Sequence, residues 1–179
     1  MTLAMTQKGP PIGEPQLHAF EMRLNLKLPS SYRKFILEVN GCKPEENYCT
    51  LPTMTGIGAS ARVFFGVDRR DLLDLADAKT RWTGRLPDGY LPIAESSGGN
   101  LICLSTVQRD FGAVYLWDHE LEAEEDEPPS MESLHRIAPD FDEFYASLSP
   151  IAGLALPSPG KVTNVYVDEE FLAKWQQKD

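Results

Sequence analysis

Leu28-Pro29-Ser30-Ser31-Tyr32-Arg33-Lys34-Phe35-Ile36-Leu37-Glu38-Val39-Asn40-Gly41 is the stretch from which the architecture can be read outward. Pro29 and a serine hydroxyl at Ser30 or Ser31 suit a helix start, where a missing N–H costs nothing and an oxygen can cap free donors. Tyr32, Phe35, Ile36 and Val39 then recur at i, i+3, i+4 and i+7, which draws one apolar face. Asn40-Gly41 stops the helix, because glycine accepts the left-handed backbone that closes it. Upstream, Leu17, Phe20 and Leu24 give Glu14 to Asn25 the same period, and Pro29 pushes its predecessor out of the helical region. Two helices joined by a short proline link are expected to pack as a pair.

Downstream the period changes from helix to strand. Arg62 to Val67 is rich in branched and aromatic residues, as a strand is. Asp68 is expected to cap a helix over Asp71 to Arg81, with Leu72, Leu73, Leu75 and Ala76 as its apolar side. Gly84 to Gly89 reads as a turn region. Three strands follow: Tyr90 to Ala94, Leu101 to Ser105 and Ala113 to Trp117. Their short, glycine-bearing links make them an antiparallel meander. Leu134 to Ile137 reads as a further strand. Asp140 to Leu148 reads as a helix with Phe141, Phe144, Tyr145 and Leu148 on one face.

The ends differ from this centre. Residues 1–11, ending Gly9-Pro10-Pro11, have no apolar period and are expected to stay mobile. Residues 12–150 form the domain. After Pro150 comes an extension: a linker over Ala155 to Gly160, a strand over Val162 to Val167, and a helix over Asp168 to Gln176. Phe171, Leu172 and Trp175 would let that helix dock by one face.

Composition narrows the function. A hydrophobic share of 42% and a charged share of 25% are ordinary for a globular domain. The net charge of −10 makes nonspecific binding to nucleic acid or to an anionic membrane repulsive, and it suits a basic protein partner. Cys42, Cys49 and Cys103 match no metal or redox spacing. A Cys42–Cys49 disulfide is an open alternative to free thiols in a reducing compartment. No signal-peptide core or membrane span is read, so the cytoplasm is the expected location.

A search for chemistry returns no catalytic constellation and predicts no metal or cofactor. Ser97-Gly98-Gly99-Asn100 lies between two strands, whereas a phosphate cradle needs a helix to follow. His18, His119 and His135 accompany no metalloprotease or nucleophile motif. Asp118-His119-Glu120 would point its side chains to opposite faces of an extended segment and converge poorly on a metal. Glu95, beside the Gly98-Gly99 turn, reads as a solvated acid rather than a general base. What stands out is Asp118-His119-Glu120-Leu121-Glu122-Ala123-Glu124-Glu125-Asp126-Glu127-Pro128-Pro129-Ser130, with seven carboxylates and no Lys or Arg. Like charges repel, so an exposed, mobile loop is expected.

The order of these segments resembles the SUKH superfamily, which includes the yeast Smi/Knr cell-wall regulators. The Leu28 to Gly41 segment is similar to its "LPxxYxxFLxxxNG" helix. Leu91-Pro92-Ile93-Ala94 with Gly98-Gly99-Asn100-Leu101-Ile102-Cys103-Leu104 resembles "PIA…GGNxxxL", and Gly112-Ala113-Val114-Tyr115-Leu116-Trp117-Asp118-His119-Glu120 resembles "GxVYxWDHE". The helix from Phe141 to Leu148 resembles the closing "FxxFLxxL". The resemblance runs from about Ile12 to Leu148. It implies an α+β fold, with helices packed on a twisted, largely antiparallel sheet, and no active site. Bacterial members look like immunity proteins that bind and neutralise a cognate toxin, and fungal members look like regulatory scaffold modules. On the first reading a toxin domain with a basic surface is the partner. Trp117, Asp118, Glu120, Glu122, Glu124, Glu125, Asp126 and Glu127 are the candidate contacts, the acids imitating a phosphate backbone and Trp117 serving as an aromatic anchor. Tyr32, Phe35 and Tyr115 read as core, and Asn100 as a partner for the turn backbone.

Overall fold

The computed structural model describes residues 4–50, 58–124 and 126–150. Helix α1 (Glu14–Leu24) opens with Gly13, whose N–H donates to Gln16 Oε1 at 2.8 Å. It stops at Asn25, in the left-handed region at φ 48°, four residues before the proline expected to end it. Helix α2 (Ser30–Val39) follows directly. Glu21, buried on α1, accepts the Leu28 N–H at 2.9 Å and pairs with Arg33 of α2, which also reaches Glu14. The carboxylate thus turns the corner between the two helices and satisfies a buried backbone donor.

Asn40 and Gly41 both adopt positive φ, at 50° and 79°. Asn40 is 1% exposed, and its side chain joins three segments. Its Oδ1 accepts the Val67 N–H at 2.7 Å, and its Nδ2 donates to the carbonyls of Pro10 at 2.7 Å and Val67 at 3.0 Å. A Cβ on Gly41 would lie 2.8 Å from Phe64 O and Gly66 N, so this turn also needs glycine for close backbone approach.

The first described residues are bonded rather than loose. Strand β1 (Met5–Thr6) pairs with β2 (Lys43–Pro44), and Gly9 donates to Gly41 O at 3.0 Å. These backbone bonds leave no apolar period in the sequence, which is why the pairing is not read there. A second small pair, β3 (Tyr48–Thr50) with β4 (Gly58–Ser60), precedes β5 (Val63–Phe64). Helix α3 (Leu75–Arg81) starts later than expected. Asp74, not Asp68, is its cap, accepting from Ala76 N at 2.9 Å and Asp77 N at 3.2 Å. Asp71 instead closes a local turn on Leu73 N, and Leu72 is 78% exposed rather than part of the apolar side.

Strands β6 (Tyr90–Glu95), β7 (Leu101–Ser105), β8 (Val114–Trp117) and β9 (Leu134–Ala138) extend β5 into a five-stranded antiparallel meander in sequence order. Pro92 is tolerated in β6 because β5 pairs only with Ala94 and Glu95, leaving that edge unpaired at the proline. Helix α4 (Phe141–Ser147), capped by Asp140, closes the domain. One sheet face packs Ile93, Ile102, Leu104, Leu116 and Ile137 on the helices. There Phe35 stands 5.1 Å from both Phe64 and Phe141, and Tyr32 meets Phe141 edge-on at 4.9 Å. The fold is α+β, as expected. Cys42, Cys49 and Cys103 are buried and free, so the disulfide alternative falls. The strand and helix expected beyond residue 150 lie outside the described residues.

Candidate partner-binding surface

The second sheet face carries Leu101, Cys103, Tyr115, Trp117 and Leu134, and it is buried too. Its cover comes from the turn after α3. Trp82 meets Trp117 at 5.3 Å between ring centroids. Arg85 lies over both rings, 4.6 Å from the Trp82 centroid and 5.4 Å from that of Trp117. From there its guanidinium reaches Glu122 by two parallel bonds, Nε to Oε2 at 2.8 Å and Nη2 to Oε1 at 2.7 Å. These hydrogen bonds hold the Glu122 carboxyl below the usual carboxylate range and push the Arg85 guanidinium up.

The acidic segment is therefore fastened at one point by an ion pair seated on indole rings. A second fastening lies at its start. Gly98 and Gly99 take φ of 73° and 92°, which closes the β6–β7 turn and presents Asn100. Asn100 Oδ1 accepts the His119 N–H at 3.1 Å and lies 2.7 Å from His119 Nδ1. An acceptor oxygen there requires the proton on Nδ1. The glycine turn and the strand ending in Asp-His-Glu, far apart in sequence, meet in this contact. Asp118 caps the single 3₁₀ turn His119–Leu121 through Glu120 N at 3.1 Å, and its own N–H donates to Ser133 O at 2.8 Å.

The expected contact residues thus divide. Trp117 is 0% exposed, its ring being the floor on which Arg85 stacks, so it supports the loop from beneath rather than meeting a partner as an anchor. Its burial follows from strand alternation, which sends Tyr115 and Trp117 to the same covered face. Asp118 and Glu122 are engaged within the chain. Glu120, Glu124, Asp126 and Glu127 are exposed and make no ion pair among the described residues. Glu125 lies outside the described residues. A recess of about 270 Å³, lined by Arg85, Glu122, Glu124, Glu127 and Pro129, opens between the loop and the Gly84 turn.

Sequence reasoning missed three residues here. Arg85 was hidden in a turn region, although Trp82 three residues before it offers the spacing for a stacked pair. Leu121 and Met131 are 49% and 41% exposed. They stand on two 3₁₀ turns, His119–Leu121 and Met131–Ser133, that pack side by side. At the far end of the same sheet face, Asp110 accepts from the Ser105, Tyr115 and Tyr90 hydroxyls at 2.7, 2.7 and 3.2 Å. Burial pushes this carboxyl up, but the three hydrogen bonds outweigh it and the net shift is downward. That cluster ties the β7–β8 loop to the sheet.

Among the described residues no three His, Cys, Asp or Glu side chains gather as a metal site, and no helix is long and apolar enough to cross a membrane. The SMI1 / KNR4 family (SUKH-1) model matches residues 11–147, which takes in every helix among the described residues and the whole meander. The SPbeta prophage-derived uncharacterized protein YokK of Bacillus subtilis (strain 168) is 31% identical over 149 residues, covering 74% of this chain and 72% of the relative. The motifs that meet at Asn100 and His119 and the helix that ends in Asn40-Gly41 all lie inside the matched span, and the chain belongs to the SMI1 / KNR4 family (SUKH-1).

Proposed function

We propose that the chain is a non-enzymatic protein-binding domain of the cytoplasm, an immunity protein that neutralises a cognate toxin domain with a basic surface. The observation that carries this reading is the composition of one segment: Leu121 and Met131 stand exposed on two adjoining turns, and Glu120, Glu124, Asp126, Glu127 and Glu132, also exposed, are on or between those turns in the chain. An apolar centre inside a charged rim is how specific protein interfaces are built, the centre setting the lifetime and the rim the encounter rate. The carboxylates match the lysines and arginines that a nuclease-like toxin presents to phosphate. The bacterial members that the chain resembles take the same role.

The test is retrieval of the tagged chain from its native lysate with mass spectrometry of what it holds. One basic toxin domain at near-equal amounts, released by salt, is the expected result. Against that partner, changing Glu120, Glu124, Asp126 and Glu127 to Gln should slow association by about tenfold or more at low salt. Recovery of several cellular proteins, or of none, would favour a regulatory scaffold module of the fungal kind instead.

A further inference from the structure

Besides fastening the acidic segment, the Asn100–His119 contact selects which nitrogen of the ring is left free. The backbone N–H of His119 can donate only to an oxygen. It donates to Asn100 Oδ1 at 3.1 Å, which fixes the way that amide faces. The same oxygen lies 2.7 Å from His119 Nδ1. Nδ1 therefore carries the proton of the neutral ring, and Nε2 holds a bare lone pair. Nε2 has no hydrogen-bond partner among the described residues. The buried, unpaired side-chain polar atoms among those residues are Tyr32 Oη, Trp82 Nε1 and Trp117 Nε1. Nε2 is not one of them, so its lone pair meets solvent.

The place of that atom gives it a use. His119 opens the turn that carries Glu120 and Leu121, and this turn packs beside the one that carries Met131. The exposed carboxylates of Glu120, Glu124, Asp126 and Glu127 attract a cation from any direction. An imidazole lone pair is more selective, because it lies in the ring plane and accepts well only from an N–H aligned with it. One amide oxygen holds both the backbone and the ring of His119, so little rotamer freedom remains to be lost when a partner binds. A lysine or arginine side chain brings N–H donors and no acceptor, which suits Nε2 and the neighbouring acids together.

We infer that His119 Nε2 is the directional acceptor of the acidic surface, taking an N–H from a lysine or arginine of the partner. This rests on the basic-partner reading above. The test adds hexa-arginine to the full chain, isotope-labelled at its histidine and backbone nitrogens, under alkaline conditions that keep imidazole neutral. In the free chain the Nδ1 signal of His119 should be that of a protonated nitrogen and the Nε2 signal that of a bare one. The peptide should move the Nε2 signal together with the amides of Glu120 and Glu124, while Nδ1 stays. His119→Asn keeps a donor for Asn100 in place of Nδ1 and removes Nε2. It should weaken hexa-arginine binding about threefold or more, with the amides of the free loop unchanged. A proton found on Nε2 in the free chain would overturn the inference. So would loop amides that move while Nε2 does not, or equal affinity in the His119→Asn chain; both would leave the basic-partner reading standing. Loop amides unmoved by the peptide would overturn that reading, and this inference with it.

Discussion

Asn40→Ala is the perturbation that the fold is least able to absorb relative to its size. The side chain fills little space, yet it satisfies both the N–H and the C=O of Val67, which is fully buried, and it holds the Pro10 carbonyl. Truncation strands the Val67 groups at roughly 1–3 kcal/mol for a buried unsatisfied partner, while Pro10, being exposed, can turn to water. It also leaves alanine in the left-handed region at φ 50°, which costs about 1 kcal/mol more than asparagine there. The sum is about 3 kcal/mol, or a fall in Tm of roughly 6–12 °C for a chain of this length. Urea unfolding followed by tryptophan emission measures it, with an unchanged m-value confirming that the denatured state is the same. Asn40→Gly should recover about 0.5–1 kcal/mol, because the backbone term is removed while the lost bonds remain. Asn40→Asp keeps the acceptor for Val67 N–H but turns a carboxylate toward two carbonyl oxygens. Its folded pKa must then rise above the unfolded value near about 4, so its stability should fall as pH climbs from there. A loss below about 1 kcal/mol for Asn40→Ala would refute the reasoning.

Three further perturbations follow from the geometry. Arg85→Met should cost less than about 1 kcal/mol, since the ion pair is half-exposed and screened, yet it should speed amide exchange across residues 119–127; unchanged exchange there would show that the Glu122 pair does not hold the loop. Gly66→Ala places a Cβ 2.2 Å from Asn40 O, a backbone clash that should cost at least about 2 kcal/mol in the same urea assay. Burial pushes the Cys42 and Cys49 thiols up to about 12 and about 11, and raises that of Cys103 as well. The folded chain thus keeps protons that the unfolded chain releases above about pH 8.5, so the contribution is complete below that pH and is lost as pH rises toward 11, by up to about 1.4 kcal/mol per thiol per pH unit. Flat stability between pH 8 and 10, or reaction of the native thiols with iodoacetamide at free-cysteine rates, would contradict this.

What could be read from sequence follows the reach of each signal. Tyr32, Phe35, Ile36 and Val39 announce α2 because a helical period repeats within one short window. Cys103 announces its burial because β7 is apolar on both faces and both faces are covered. The pairs β1–β2 and β3–β4 leave no such mark, since two- and three-residue strands cannot show alternation. The start of α3 is not decided by sequence because Asp68, Asp71 and Asp74 are all competent caps, and only the chain path selects Asp74. At the surface, the acidic run was plain to see. Its fastening was not, for Arg85 and Glu122 are joined by the fold and not by proximity in sequence. Trp117 is ambiguous by sequence because aromatic residues serve interfaces and cores equally well, and only the cover from Trp82 and Arg85 distinguishes the two.

That cover bears on how the proposed surface would work. A stretch of seven carboxylates left free would have to lose backbone entropy on binding, about 1–2 kcal/mol for each residue that becomes ordered. Here the Asn100–His119 contact fixes its start and the Arg85–Glu122 pair fixes its middle, both before any partner arrives. The ion pair spends one acid to orient the others. Glu120, Glu124, Asp126 and Glu127 stay exposed, and Leu121 and Met131 stand exposed on the adjoining turns. Charge would govern how fast a basic partner arrives, and the two apolar side chains how long it stays. The two contributions can be separated: Leu121→Ala with Met131→Ala should raise the dissociation rate of the recovered complex at least about tenfold while leaving its salt-dependent association rate within about twofold. An effect confined to association would mean that these side chains lie outside the contact, and that the carboxylates alone define it.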